Sequence, residues 1–106
     1  MKNCKPRWII KKGNLETDED IWIYEEDPEI LLLETRGLSQ KEIRKWIGKS
    51  EKFVKNHIEN INRQTGVTCP KERVIWALRV EILIVVDRMV VIATQYIRKE
   101  KDLNQE

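Results

Sequence analysis

Residues 37–66 are the most heavily punctuated part of the chain, with glycines at 37, 48 and 66, Ser39 followed three residues later by Glu42, and Ser50 just beyond the middle glycine. Ser39 and Glu42 have the spacing of a capping box, in which the hydroxyl takes the backbone N–H three residues on and the carboxylate reaches back to the serine. Gly48 supplies the left-handed residue that ends a helix, Ser50 is placed to cap the next, and Gly66 closes it. Two short helices joined by a glycine-containing turn form a helix-turn-helix.

In the second of these helices Val54, Ile58 and Ile61 recur at i, i+4 and i+7, an apolar stripe that must face other helices. Lys52, Lys55, Asn56, Glu59 and Arg63 then point outward, as on a recognition helix that enters a major groove. Upstream, "DPEILLLETRG" has an aspartate cap at Asp27, Pro28 at the first helical position and Gly37 as a stop, so a further short helix precedes the pair. The segments "RWII" and "DIWIY", rich in β-branched and aromatic residues, read as an amino-terminal hairpin.

After Pro70 the pattern supports two readings. Ile75, Leu78, Ile82, Val85, Met89, Ile92 and Tyr96 alternate steps of three and four, the seam of a helix that packs on another helix. The runs "VEILIVV" and "MVVIATQYI" also suit a hairpin around Asp87-Arg88, but Asp-Arg is a poor two-residue turn, so a long helix is expected. Its apolar arc, widened by Val80, Leu83, Ile84, Val86, Val90 and Val91, exceeds what three short helices cover and points to a second copy of the chain. Leu78, Ile82, Val85, Met89 and Ile92 are the expected homodimer interface. The expected fold is mainly α, a helix-turn-helix with an amino-terminal, wing-like β-hairpin and a long carboxy-terminal dimerisation helix. It forms one domain over 1–106, divided as hairpin 1–26, helix-turn-helix core 27–78 and dimerisation segment 79–106.

The net charge of +2 is unevenly placed. Residues 1–35 carry five basic and nine acidic side chains, residues 36–73 ten and four, and residues 74–106 five of each, so the positive charge is concentrated on the helix-turn-helix. Cys4 and Cys69 are far apart and the amino end lacks signal-peptide features, which leads to the expectation of a reduced, cytoplasmic protein. Arg79, Glu81, Asp87 and Arg88 interrupt the most apolar stretch, so no membrane span is expected. His57 is the single histidine and reads as packed or phosphate-contacting, with no metal site. Glu25, Glu26 and Asp27 read as capping acids, and Trp8, Trp22, Trp46 and Trp76 as core filling. No catalytic residue, cofactor or small-molecule substrate is expected.

The stretch "RGLSQKEIRKWIGKSEKFVKNHIENINRQTGVTCPKERVIWAL" resembles the DNA-binding domain of the LuxR/NarL, or GerE-like, family. The likeness runs from Gly37 to about Leu78 and rests on Gly37-Leu38-Ser39, Lys41-Glu42-Ile43, Gly48, Ser50, the Val54-Lys55-Asn56-His57 block and Gly66-Val67. Arg44, Lys49, Phe53 and Pro70 depart from the family pattern. The resemblance implies a four-helix domain whose third helix enters the major groove and whose fourth makes a dimer contact. Lys55 and Asn56 fall on base-facing positions, with Glu59 where some members carry a third. The family's phosphoacceptor or autoinducer domain has no counterpart here, so activation by phosphorylation or a small molecule is not expected.

The functional expectation is a dimeric, sequence-specific double-stranded DNA-binding protein without catalytic activity. Lys55, Asn56, Glu59 and Arg63 are the expected base readers. Lys41, Arg44, Lys45, Lys49, Ser50 and Lys52 are the expected phosphate contacts, with Arg7, Lys11 and Lys12 of the hairpin on the flanking backbone. A transcription regulator is the first role, an accessory factor at a plasmid transfer origin or phage packaging site the second, and a protein-protein adaptor using residues 74–96 the alternative from another class.

Overall fold

The computed structural model describes residues 5–11 and 19–97. Among them the chain forms strands β1 (Trp8–Ile10) and β2 (Ile21–Ile23), helices α1 (Asp27–Thr35), α2 (Gln40–Ile47), α3 (Glu51–Thr65) and α4 (Pro70–Arg79), strands β3 (Leu83–Val86) and β4 (Met89–Ile92), and a 3₁₀ turn over Thr94–Tyr96. The strands form two separate antiparallel hairpins, β1 with β2 and β3 with β4.

The mainly α class expected from the sequence is corrected to α+β, because among the described residues a hairpin stands where the sequence predicts the long carboxy-terminal helix. The fourth helix stops at Arg79, where the Glu81 N–H bonds to Leu78 O at 3.2 Å and the Ile82 N–H to Ala77 O at 2.9 Å, with Glu81 left-handed at φ 64°. This is a Schellman stop made without glycine, and it puts Ile82 beside Ala77 in the core. The chain then makes the hairpin that the sequence disfavours. Asp87 and Arg88 both have positive φ, 52° and 67°, as the two central residues of a type I′ turn require. Left-handed backbone costs about 1–2 kcal/mol per residue outside glycine. Burying Leu83 and packing Ile84, Val90 and Ile92 on the core offsets it, since each fully buried aliphatic side chain contributes about 1.5–3 kcal/mol. A continuous apolar run fits a helix seam and a strand covered on both faces equally well, and here tertiary burial decides.

Two apolar clusters organise the fold. The larger contains Ile10, Ile21 and Ile23 of the first hairpin, Leu31, Ile61, then Trp76, Ala77, Val80, Ile82, Leu83, Ala93 and Tyr96. The smaller contains Ile30, Ile43, Val54 and Ile58, with Leu33, Leu38 and Ile47 packed against it. The apolar run of the first helix covers both of its sides because the helix is the wall between them: Ile30 and Leu33 face the small cluster, Leu31 and Leu32 the large one. Its N-cap is Glu26, so Asp27 lies one residue inside the helix, and its side chain is turned to other work.

A buried ion pair bolts the two helical ends together. Arg73 of α4 makes two bonds to Glu34 of α1, Nε to Oε1 at 3.0 Å and Nη2 to Oε2 at 2.7 Å, and a third from Nη1 to Asn62 Oδ1 of α3 at 2.9 Å. Both side chains are 3 % exposed. Such a pair sets geometry more than it adds stability, but either partner left alone is a buried charge.

Candidate nucleic-acid interface

The helix-turn-helix is built by local devices. Ser39 Oγ accepts the Glu42 N–H at 3.2 Å while Glu42 Oε1 accepts the Ser39 N–H at 2.9 Å, completing the capping box. Those bonds stabilise the Glu42 carboxylate and hold its pKa below the usual value. Gly48 is left-handed at φ 72°, and Ser50 Oγ accepts the Phe53 N–H at 3.0 Å to start α3. Ile43 of α2 and Val54 and Ile58 of α3 then close the small cluster.

On α3 the buried residues Val54, His57, Ile58 and Ile61 lie on one side, and Lys52, Lys55, Asn56, Glu59 and Arg63 are exposed on the other. The exposed row rises about 16 Å from first to last at the helical 1.5 Å per residue. A B-DNA major groove is about 12 Å wide and admits one helix. Lysine suits the O6 and N7 acceptors of guanine, the Asn56 amide the N6/N7 edge of adenine, and the Glu59 carboxylate the N4 amino group of cytosine. Arg63 is engaged within the helix, its Nη2 donating to Asn60 Oδ1 at 2.6 Å, so reading a base there requires that bond to open.

The remaining basic residues divide by what already holds them. Lys41, Lys45, Lys49 and Ser50 are exposed around α2 and the turn. Arg44 is half-buried and clamps the turn, its Nε donating to Lys49 O at 3.2 Å. Lys49 Nζ lies 5.2 Å from the centre of the Phe53 ring. On the first hairpin Arg7 stands 3.9 Å from Glu25 and Lys11 3.7 Å from Asp20. Lys12 lies outside the described residues. Of the residues expected at a dimer contact, Ile82 is fully buried, Leu78 and Ile92 are half-buried, and Val85 and Met89 are exposed beside Val86 near the tip of the second hairpin.

Several features escape the sequence reading. Trp46 is 71 % exposed on α2 and Trp22 is 43 % exposed on β2, so neither is core filling; Trp76 is buried and Trp8 packs edge-on to Tyr96 at 5.2 Å. Trp46 lies off the Ile43–Ile47 stripe, a signal readable from spacing alone. Asp27 and His57, thirty residues apart, meet in the interior with Oδ1 and Nδ1 2.8 Å apart, while Asp27 Oδ2 accepts the Tyr24 N–H at 2.8 Å. Burial is the larger influence on Asp27 and pushes its pKa up, opposed by the bonds from His57 and Tyr24. Gln64 of α3 bonds both backbone groups of Trp22, accepting its N–H at 2.7 Å and donating to its carbonyl at 2.9 Å.

Among the described residues no group of three or more histidine, cysteine, aspartate or glutamate side chains is arranged to hold a metal ion, and no helix is long and apolar enough to cross a membrane. No protein-family model matches the chain, and neither a curated protein nor a solved structure matches it. The resemblance to the LuxR/NarL domain therefore rests on the residues quoted for it.

Proposed function

We propose that this chain is a cytoplasmic, non-catalytic protein that binds double-stranded DNA in a sequence-specific manner with α3 as its reading helix. The supporting observation is the exposed row Lys52, Lys55, Asn56, Glu59 and Arg63, set opposite the buried stripe of a glycine-jointed helix-turn-helix in the most basic part of the sequence. Lys41, Lys45, Lys49 and Ser50 supply phosphate contacts that fix the register, and Lys55 and Asn56 read bases. The role proposed for such a reader is transcription regulation. The test is a gel shift on duplexes selected from a random pool, repeated across salt: log K falls with log salt at a slope of about −0.9 per phosphate neutralised. A flat salt response, or no selected duplex, sinks the reading.

A homodimer belongs to the same proposal, since two reading helices about 34 Å apart engage successive turns of one duplex face. The copy-to-copy contact falls to the exposed Val85, Val86 and Met89 of the second hairpin in place of a helix. The same exposed residues favour the adaptor reading, in which the hairpin meets a different protein. Sedimentation separates them: a concentration-dependent dimer supports the first, and a monomer at micromolar concentration supports the second.

A further inference from the structure

The imidazole of His57 is 2 % exposed and Asp27 fully buried. With the Asp27 carboxylate as acceptor, the ring donates from Nδ1 to Oδ1, and Nε2 is left buried without a partner among the described residues. A leucine or phenylalanine at 57 would remove that unpaired nitrogen but strip the buried Asp27 Oδ1 of its hydrogen bond, so the imidazole is held by its bond to Asp27 and not by packing alone.

What the ring joins accounts for it. Asp27 reaches from α1 to the Tyr24 N–H, and the Asp27 N–H returns to Tyr24 O at 3.0 Å, so the carboxylate fixes the exit of the first hairpin. The Tyr24 ring stands edge-on to His57 at 5.6 Å. On the other side Phe53 lies 4.3 Å from His57, and Phe53 carries Lys49 of the helix-turn-helix turn over its face. A continuous series of contacts thus runs from hairpin exit through Asp27, His57 and Phe53 to the turn that precedes the reading helix. His57 is the one member that touches both halves, and it sits on α3 one position from Asn56.

We propose that His57 is a positioning residue that locks the reading helix to the first hairpin and to its own preceding turn, and so sets where Lys55 and Asn56 meet the bases. This rests on the DNA-binding reading above. Asp27 and Phe53 act through it, and none of the three touches DNA.

The test compares His57→Leu with His57→Asn, whose side-chain amide nitrogen can still donate to Asp27 from near the place of Nδ1. Affinity is measured on the tightest duplex selected by the wild type and on a random duplex, and hydrogen exchange is followed at the Tyr24 and Trp22 amides without DNA. His57→Leu, once shown folded by circular dichroism, is expected to lose about tenfold or more on the selected duplex, with little change on the random one. Its Tyr24 amide exchanges faster, and His57→Asn, which keeps the bond to Asp27 but not the ring contact with Phe53, recovers the Tyr24 protection. Equal losses on the two duplexes, or no recovery in His57→Asn, overturns the proposal. If His57→Leu does not fold, His57→Asn and Phe53→Leu carry the same comparison, with Phe53→Leu expected to lose discrimination while the Tyr24 amide stays protected. If the wild type binds no duplex, the DNA reading fails, and unchanged Tyr24 exchange in folded His57→Leu then refutes the lock on its own.

Discussion

Among the described residues the cluster under the helix-turn-helix has four buried side chains, Ile30, Ile43, Val54 and Ile58, and the cluster beneath the hairpins has twelve. The poorer cluster is the one in which two of the three contributing helices, α2 and α3, carry side-chain caps and left-handed glycines, at Ser39, Gly48, Ser50 and Gly66. The richer one is entered by α4, which has no side-chain cap, and it tolerates left-handed Glu81, Asp87 and Arg88. Local devices hold the end that presents its surface outward, and burial holds the end that does not. A surface that leaves its long polar side chains exposed cannot recruit them into a core, and here the helices beneath it are held by caps and turns.

Perturbations can break or sharpen this contrast. The largest effect is expected at the bolt between the two ends. Arg73→Ala strands Glu34 as a buried charge and should cost about 3–5 kcal/mol in urea unfolding, whereas Arg73→Met combined with Glu34→Leu should recover most of the loss. If the single change costs under a kilocalorie, the ends are not joined there. Next, Ile43→Ala removes one of the few buried residues of the small cluster and should cost about 2–5 kcal/mol. Hydrogen exchange decides whether that loss spreads: faster exchange in α2 with unchanged protection in β3 and β4 shows that the clusters open separately.

Asn56→Ala is expected to leave stability unchanged and to cost about 1–3 kcal/mol of binding on the selected duplex alone, because its amide is exposed. Loss of stability from this change would mean that the surface is not free of the fold. Gly48→Ala meets no atom within 4 Å of the added carbon, so only the left-handed backbone resists it. About 1 kcal/mol is expected, and a thermal melt reads it.

The last effect is a slope. Asp27 has its pKa raised above 3.8 by burial, so the folded chain holds that proton more tightly than the unfolded one. Its contribution is greatest below 3.8 and is lost as pH rises through the higher folded value. Asp27→Asn removes this titration, so relative to the wild type the variant should gain stability with rising pH across that window. Urea titrations of both proteins on the acid side check it, and the opposite slope refutes the assignment.

The same contrast explains what could be read in advance. The caps, stops and stripe between Ser39 and Gly66 are written within four residues of one another, and the helices lie where those signals put them. The second hairpin was hidden because its apolar run has no period that excludes a helix, and because Asp87-Arg88 adopts a turn its residue types disfavour. Asp27 with His57 and Glu34 with Arg73 meet across 30 and 39 residues, and a sequence carries no spacing rule for such partners. The outward row on α3 was legible, but Arg63 bonded to Asn60 and Arg44 bonded to the turn were not, since side-chain partners are a property of the folded surface.

Gln64 has one more effect on how the molecule behaves in company. By bonding both the N–H and the carbonyl of Trp22, its amide mimics the next strand of a sheet and leaves those two groups of β2 unavailable to another chain. That matters because Ile9 and Trp22 are cross-strand partners on the hairpin's open face, both more than 40 % exposed. An apolar face next to an open edge is the starting template for fibrils, and one glutamine removes half of that combination.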